Sequence, residues 1–199
     1  FRAGGPGGGA RAAGIQPPDV ALPGQEVEGA PCRDEAPAGD SLVDMSPAAP
    51  AVSYLATVSV EVGEPIEVGQ TAAGLRRIIP ILGGTVEGPA LRGTVLPAGA
   101  DFQLLRTSTL TELEAKYAIE TDEGERLYVN NFGLRSGSEE DIAALLRGEP
   151  VDPARIYFRC TPKIEAPDGG AWAWLSSRIL VGTGTRLPNE VRLEIFTVD

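Results

Sequence analysis

The chain has 199 residues, with 17 lysines and arginines against 28 aspartates and glutamates, and it contains no histidine. The formal net charge of −11 at pH 7 argues against nucleic-acid binding, because a polyanionic partner needs a basic surface. Without histidine the chain cannot form a Ser-His-Asp or Cys-His catalytic system or a His-ligated zinc site. Any acid–base chemistry must therefore use Asp, Glu, Tyr, Lys or Cys.

The two cysteines, Cys32 and Cys160, are far apart in the sequence. Two cysteines in a chain of this length indicate neither a disulfide-stapled secreted domain nor a metal cluster, and we expect no bridge between them. No apolar run approaches the roughly 18–20 residues of a membrane span. The N-terminal residues also lack the apolar core of a signal peptide. We therefore expect a cytoplasmic protein that contacts neither membrane nor nucleic acid.

Residues 1–50 form a low-complexity segment with nine glycines, eight prolines and ten alanines. Such a segment cannot bury enough apolar surface to offset the entropy lost on ordering. We predict a flexible, disordered tail over 1–50 and one folded domain over 51–199. Met45 is the only methionine and precedes the first strand-like run. We expect the native start there, with residues 1–44 as an upstream extension, a processed remnant or cloning-derived sequence.

From residue 51 the chain becomes rich in β-branched residues and partly alternates polar with apolar side chains, which is typical of strands. Short segments with Gly, Pro, Asp or Asn lie between these runs and can close antiparallel hairpins or break a strand. The predicted strands are 54–62, 76–87, 91–96, 102–106, 111–121, 126–134, 156–165, 171–182 and 191–198. The predicted hairpin turns are 122–124, 167–170 and 187–189, and 97–101 is predicted as a break.

One segment, residues 139–147, has the pattern of a helix. Ser138 is a natural N-cap, three acidic residues occupy the first turn, and a glycine and a proline follow as stop signals. Ile142, Leu145 and Leu146 form one apolar stripe. We expect this helix to cover or plug the domain, since strands and helices do not alternate elsewhere.

Eight or nine strands joined by short turns predict an all-β domain, either a sandwich or a barrel. A closed barrel removes the exposed strand edges that otherwise promote aggregation. We favour an antiparallel barrel, closed or nearly closed. With about eight strands its interior is either filled by side chains or holds one small ligand.

Eight short motifs resemble the bacterial "domain of unknown function 3237" family. They occur in the expected order across about residues 54–199, and the tail lies outside the resemblance. The motifs are RIIPILGGTVEGP at 77–89, LRG at 91–93, VLP at 95–97, GAD at 99–101, PVDP at 150–153, YFR at 157–159, AWL at 173–175 and VGTG at 181–184.

This resemblance implies a small antiparallel β-barrel without a generally established activity. Two positions depart from the pattern that the resemblance implies. Phe102 follows the GAD motif where a Trp is expected, and Ser176 follows the AWL motif where an Asn is expected. Ser176 lacks the amide donor of Asn, so this chain binds a different ligand if that Asn contacts the ligand in relatives.

Two carboxylates are candidates for proton transfer. Glu87 ends a long apolar strand, and if it points into the barrel, desolvation raises its pKa and makes it a general acid or base. The alternative is a structural cap that accepts hydrogen bonds from the turn amides at Gly88 and beyond. Asp101 begins a strand after a turn, and it is either a site residue or an acceptor for backbone amides of that turn.

The strand 111–121 alternates regularly between a charged face and a mainly apolar face. The charged face belongs in solvent, so Tyr117 and Thr121 are predicted to point inward. An inward tyrosine hydroxyl needs a hydrogen-bond partner, which is either a ligand or another polar group of the core.

Strand alternation gives the other candidates two alternative orientations. Arg159 is either an interior cation that meets a carboxylate or an anionic ligand, or a surface residue; the family resemblance favours the interior. Asn131 follows Leu127 and Val129 on one face, so it is either a satisfied polar group of the core or a specificity contact.

Trp172 and Trp174 are predicted to share one face of a strand that continues through Ser176. Such a pair of rings forms part of the core, a rim or interface, or a stacking platform for a ligand. As a ligand contact Trp174 is favoured over Trp172. The Trp face also hints at self-association into a homodimer or larger homo-oligomer.

We therefore expect a pocket for a small hydrophobic or aromatic compound with carbonyl or phenol groups, without a cofactor or metal. Three classes stay open: an acid–base enzyme that catalyses isomerisation, cyclisation or hydration, a non-catalytic carrier, and a structural or oligomerisation module with a filled barrel. The candidate catalytic residues are Glu87, Asp101, Tyr117 and Arg159. The candidate ligand-binding residues are Thr121, Asn131, Trp174 and Ser176.

Overall fold

A computed structural model describes residues 47–199, which form nine antiparallel strands and one α-helix. Two short 3-10 helices, Pro153–Arg155 and Ala173–Ser177, lie in the connections. The strands and the helix are β1 Val52–Val62, β2 Ile66–Thr71, β3 Gly74–Glu87, β4 Gly93–Leu105, β5 Leu110–Thr121, β6 Arg126–Ser136, α1 Glu139–Leu146, β7 Tyr157–Glu165, β8 Leu180–Leu187 and β9 Glu190–Val198.

The strands close into a barrel. Their order is β1-β9-β8-β7-β6-β5-β4-β3-β2, and an additional pairing of β1 with β3 joins the two ends of the sheet. Eight strands therefore form the barrel wall, and β2 extends β3 as an extra strand outside it. This confirms the predicted all-β antiparallel barrel with one short helix.

The strand β3 bends at an irregularity around Gly83 and Gly84, in the region that pairs with β1 to close the barrel. Gly84 has a φ of +141° and pairs with Val60 of β1, and a Cβ atom at this position would overlap the carbonyl oxygen of Ser59. Glycine is the residue that tolerates this backbone conformation and this close approach. The bend also changes which residues point inward: Ile81 is buried before it, and Val86 is buried after it.

One end of the barrel, which we call the lower end, is closed by apolar side chains. Leu91 precedes β4 and Leu175 lies in the second 3-10 helix, and each is 1% exposed. Both belong to the main hydrophobic core together with inward-facing residues of the strands. The lower half of the barrel is therefore a packed core.

Helix α1 lies near the opposite, upper end of the barrel. The Ser138 hydroxyl accepts a hydrogen bond from the Asp141 backbone N–H at 3.1 Å, as expected of an N-cap. The buried Asp141 carboxylate lies 2.6 Å from the Arg155 guanidinium in a salt bridge. Leu145 and Leu146 of this helix line the space above the barrel opening, which agrees with the expected covering position.

Several element boundaries differ from the prediction. The strand β2 was not predicted, and the predicted strands 91–96 and 102–106 are one strand, β4, with an irregularity between Val95 and Gly99. The predicted strand 171–182 is wrong in its first half, where a 3-10 helix forms. The Glu125 carboxylate accepts hydrogen bonds from the backbone amides of Ala171 and Trp172 at 3.0 and 3.4 Å. This long-range contact holds the chain where that 3-10 helix begins.

The predicted tail lies outside the described residues except for positions 47–50, so it stays a prediction, as does the native start at Met45. Cys32 also lies outside the described residues. Within residues 47–199, no helix is long and apolar enough to cross a membrane.

Candidate functional site

The upper half of the barrel contains a cavity of about 40 Å³, which we call the inner cavity. At roughly 10–15 Å³ per molecule, this volume has room for about three waters. Most of its wall is apolar, and four strands contribute the polar groups Asp101, Gln103, Tyr117, Asn131, Arg135 and Arg186. The apolar wall includes Val60, Ile79, Ile81, Leu113, Phe158 and Leu193.

Strand register explains why polar groups meet in this cavity. Asp101 of β4 pairs with Ala115 of β5, and Ala115 pairs with Asn131 of β6. Adjacent strands are about 4.8 Å apart, so Asp101 and Asn131 flank Ala115 at one level of the barrel. The small Ala115 side chain leaves the space between them open.

Asp101 is the carboxylate of the inner cavity. Its Oδ2 accepts a hydrogen bond from Gln103 Nε2 at 2.7 Å, and its buried Oδ1 has no hydrogen-bond partner within residues 47–199. Burial raises the pKa of Asp101, while the Gln103 hydrogen bond and the charge of Arg135 oppose that rise. A buried carboxyl group with one free oxygen can donate or accept a proton in the cavity.

Tyr117 and Asn131 supply two further polar groups. Tyr117 is 5% exposed and lines the inner cavity, and burial raises the pKa of its hydroxyl. The phenol therefore stays protonated at neutral pH and is available as a hydrogen-bond donor. Asn131 Oδ1 is buried without a hydrogen-bond partner among the described residues. Nearby Cys160 is a buried free thiol whose pKa is raised to about 11 by burial, so it is unsuited to act as a nucleophile.

Above the inner cavity lies a wider space of about 200 Å³, which we call the outer cavity. The two cavities adjoin, because both are lined by Gln103, Arg135 and Arg186. The outer cavity is also lined by Arg77 and by the C-terminal end of α1. A molecule in the outer cavity therefore contacts arginine side chains at the entrance to the apolar inner cavity.

The three arginines Arg77, Arg135 and Arg186 form what we call the arginine cluster. Arg77 Nε lies 2.7 Å from Glu67 Oε1 in a salt bridge, so the charge of Arg77 has a partner. Arg135 Nε is buried without a hydrogen-bond acceptor within residues 47–199. Arg186 donates to the backbone carbonyls of Leu187 and Glu190.

Burial and mutual repulsion act on the charges of this cluster. Burial lowers the pKa of Arg135 to about 10, with Arg186 and Arg77 adding to the effect and Asp101 opposing it. Burial also lowers the pKa of Arg186. Arg135 nevertheless remains a cation at neutral pH, so it is a buried positive charge without a neutralising salt bridge in the described part of the chain.

Two of the predicted catalytic residues lie outside the barrel interior. Glu87 is exposed, because the bend at Gly83 and Gly84 shifts the alternation of β3 and turns Glu87 outward. Arg159 is exposed on the outer face of β7, where its guanidinium lies 5.3 Å from the centre of the Tyr157 ring. The interior alternative for Glu87 and the interior placement favoured for Arg159 are therefore wrong.

Asp101, Tyr117 and Asn131 are the predicted site residues that the structure brings together around one cavity. Thr121 points inward as predicted, but its hydroxyl accepts a hydrogen bond from the Glu125 backbone at the lower end of the barrel, away from the inner cavity.

Trp174 and Ser176 lie in the second 3-10 helix rather than on a strand, and neither lines the inner or the outer cavity. Trp174 is 43% exposed, with its ring centre 6.3 Å from that of Trp172. The Ser176 hydroxyl accepts a hydrogen bond from the Ala166 backbone at 3.3 Å. Both side chains therefore contact neighbouring parts of the chain at the lower end of the barrel.

Gln103 and the whole arginine cluster were not predicted from the sequence. A signal for three of these residues was present in strand alternation. Arg135 continues the inward series of β6 through Asn131, Gln103 continues that of β4 from Asp101, and Arg77 precedes Ile79 on β3. Extending each inward series by one step, or by two in β6, would have identified them.

Within residues 47–199, no group of three or more His, Cys, Asp or Glu side chains is placed to hold a metal ion.

A family model described as "Protein of unknown function (DUF3237)" matches residues 50–198. UPF0311 protein RPA1785 from Rhodopseudomonas palustris is 46% identical over 145 residues, which are 73% of this chain and 94% of that protein. UPF0311 protein CA_C3321 from Clostridium acetobutylicum is 38% identical over 143 residues, covering 71% of this chain and 90% of that protein.

Solved structures show the same architecture. The crystal structure of RPA1785 matches with a TM-score of 0.73 at 44% identity, covering 77% of this chain and all of that chain. A β-barrel-like protein from Acinetobacter baumannii matches with a TM-score of 0.67 at 36% identity, covering 78% of this chain and all of that one. A protein from Penicillium herquei, described as an enzyme, shares the fold with a TM-score of 0.57 at 16% identity over 79% of this chain and all of that one.

Proposed function

The chain belongs to the DUF3237 family, and we propose that its barrel binds a small molecule on which Asp101 acts as a general acid or base. The observation that carries this proposal is the buried Asp101 carboxyl, which borders an apolar cavity and has one oxygen free of protein hydrogen bonds. Burial without a salt bridge raises the pKa of Asp101 and favours proton transfer closer to neutral pH.

The ligand we propose has a mainly apolar body and a carbonyl or phenol oxygen. Asp101 removes a proton from a carbon next to the carbonyl, and the electron pair of that C–H bond forms the C=C bond of an enolate. The Tyr117 hydroxyl donates a hydrogen bond to the developing oxyanion. If the substrate is a β,γ-unsaturated carbonyl compound, return of the proton to the γ-carbon shifts the C=C bond into conjugation and completes an isomerisation. In cyclisation or hydration the same groups would move the proton of the O–H group that adds to a C=C bond. This scheme needs no cofactor.

A non-catalytic carrier is the second candidate. Among the described residues, Asp101 is the one carboxylate that lines the inner cavity. In a reaction that needs separate acid and base groups, the second group must therefore be Tyr117 or a group of the ligand itself. The Penicillium herquei neighbour, described as an enzyme, supports the compatibility of this fold with catalysis and says nothing about the reaction here.

Deuterium exchange distinguishes the enzyme from the carrier without knowledge of the natural substrate. The protein is incubated in D₂O with 2-hexanone and with acetophenone, and NMR follows deuterium uptake at the carbons next to the carbonyl. We expect uptake above the buffer rate with the unmodified protein, and loss of that excess in Asp101→Asn. Tyr117→Phe should retain binding but lose most of the excess, because the oxyanion loses its donor.

Glu87→Gln is the matched control, because it also removes one carboxylate but lies on the outer face. Excess exchange that persists in Asp101→Asn would contradict the role of Asp101. Binding of the ketones without any excess exchange would support the carrier. Absence of both binding and exchange would contradict the proposed small-molecule site.

A further inference from the structure

We propose that the arginine cluster binds the carboxylate of an organic acid, whose apolar part enters the inner cavity. This inference rests on the proposed function, because it names the class of small molecule that the same site takes. Its structural basis is the buried guanidinium group of Arg135, which is 3% exposed and whose Nε atom lacks a hydrogen-bond acceptor within residues 47–199. Arg77, which is 7% exposed and paired with Glu67, borders the same outer cavity.

The balance of charges around the two cavities is positive. Four arginines line them, against the carboxylates of Glu64 and Asp101. Two of those arginines have glutamate partners in salt bridges. Arg135 and Arg186 have no carboxylate partner at salt-bridge distance in the described part of the chain. The site is therefore positively charged, although the chain as a whole has a net charge of −11.

A buried cation without a partner is costly. Removing a guanidinium from water is unfavourable unless an anion and hydrogen-bond acceptors replace the lost hydration. The protein supplies Arg135 with the nearby charge of Asp101, but burial disfavours the ionised form of that carboxyl group. A ligand carboxylate would supply both the missing charge and acceptors for the free N–H groups.

The shape of the site indicates an organic acid rather than a simple inorganic anion. The guanidinium groups border the outer cavity, and directly below them the wall becomes apolar through Ile79, Leu113 and Phe158. A planar carboxylate matches the paired N–H donors of a guanidinium group. An apolar chain attached to it extends toward Tyr117 and Asp101, where the proposed proton transfer takes place.

Calorimetric titration in phosphate-free, low-salt buffer tests this inference with hexanoate and its neutral isostere hexanamide. We expect hexanoate to bind at least about tenfold more tightly than hexanamide, because hydrogen bonds between a guanidinium and a carboxylate are stronger than those to a neutral amide. The preference should fall as NaCl is raised and should disappear in Arg135→Gln. Arg186→Gln serves as a second variant if the first does not fold, as judged by circular dichroism.

Arg159→Gln is the matched control, because it also removes one arginine but on the outer face of β7. It should keep the full preference for hexanoate. The same titration with inorganic phosphate separates an organic-acid site from a general anion site, and we expect phosphate to bind more weakly than hexanoate.

The outcomes separate this inference from the proposed function. If hexanamide binds as tightly as hexanoate, the carboxylate site is wrong while the small-molecule cavity stands. If phosphate binds as tightly as hexanoate, the apolar part plays no role and the organic-acid assignment is wrong. If neither hexanoate nor hexanamide binds, both the inference and the proposed cavity are contradicted.

Discussion

Asp101 and Arg135 border the same cavity with opposite formal charges, yet no salt bridge joins them. Each also has a buried polar atom, Oδ1 and Nε respectively, without a hydrogen-bond partner within residues 47–199. Unpaired groups of this kind weaken a folded structure, so we relate them to ligand binding rather than to stability.

The first prediction concerns the pH dependence of stability at Asp101. Because burial raises its pKa in the folded protein above the usual 3.8, the unfolded chain releases this proton first as pH rises. The folded protein then loses stability as pH increases from about 4 through the folded-state pKa. Asp101→Asn should remove this loss, so its Tm advantage over the unmodified protein should be smallest near pH 4 and grow toward neutral pH.

Thermal melts from pH 4 to 8 check this difference, with Asp168→Asn in an exposed loop as the control for net charge. An advantage that shrinks with rising pH would show that the folded protein favours the ionised carboxylate.

The second prediction is that the arginine cluster costs stability in the unliganded protein. Arg135→Met keeps a long side chain but removes a buried, unpaired charge. Replacing buried ionic groups by apolar ones is often neutral or stabilising by about 1–4 kcal/mol, and each kcal/mol corresponds to roughly 2–4 °C in Tm for a domain of this size. We expect an unchanged or higher Tm together with loss of hexanoate binding. A fall in Tm of several degrees would instead assign Arg135 a structural role.

The third prediction concerns the space beside Ala115. Ala115→Leu places a larger apolar side chain between Asp101 and Asn131 and should fill much of the inner cavity. Binding of hexanoate and of hexanamide should both weaken by about tenfold or more, and the change in stability should stay within about 1–3 kcal/mol. Ala118→Leu, on the outward face of the same strand, is the control and should bind both compounds normally. Unchanged binding in Ala115→Leu would place the ligand elsewhere.

The fourth prediction is that the closed lower end stabilises the fold but takes no part in ligand binding. Leu175 is 1% exposed in the core, whereas its neighbour Trp174 is 43% exposed. Leu175→Ala should lower the free energy of unfolding by about 2–5 kcal/mol through cavity formation. Trp174→Ala should cost less, and both variants should bind hexanoate with unchanged affinity while folded. Chemical denaturation and calorimetry measure the two effects, and a loss of affinity in either folded variant would extend the site to the lower end.

Much of the fold follows from the sequence because a closed antiparallel barrel imposes alternation on its strands. In β5 the charged residues face outward and Leu113, Tyr117 and Ile119 face inward, as the alternation predicted. The helix was also predictable, since the Ser138 cap and the stop signals are local features. Elements determined by long-range contacts were not: the 3-10 helix around Trp174 follows a segment held by Glu125, 46 residues before Ala171.

The candidate site was predicted only in part for a related reason. Alternation assigns residues to two faces, but it does not say which face is inside, and an irregularity exchanges the faces. Glu87 would share the inward series of Ile79 and Ile81 if β3 were regular, and the bend at Gly83 turns it outward. For Arg159, the neighbouring Phe158 and Cys160 occupy the interior, which leaves the arginine outside.

The pairing of β1 with β9 has a consequence for how the protein is made. The first and last strands of the barrel lie side by side, with Val52 opposite Val198. During translation β1 therefore leaves the ribosome long before its partner, and the wall cannot close until the final strand has emerged. Such pairing between distant parts of a chain slows folding. The nascent protein thus exposes unpaired strand edges for most of its synthesis, a period in which chaperones can protect it from aggregation.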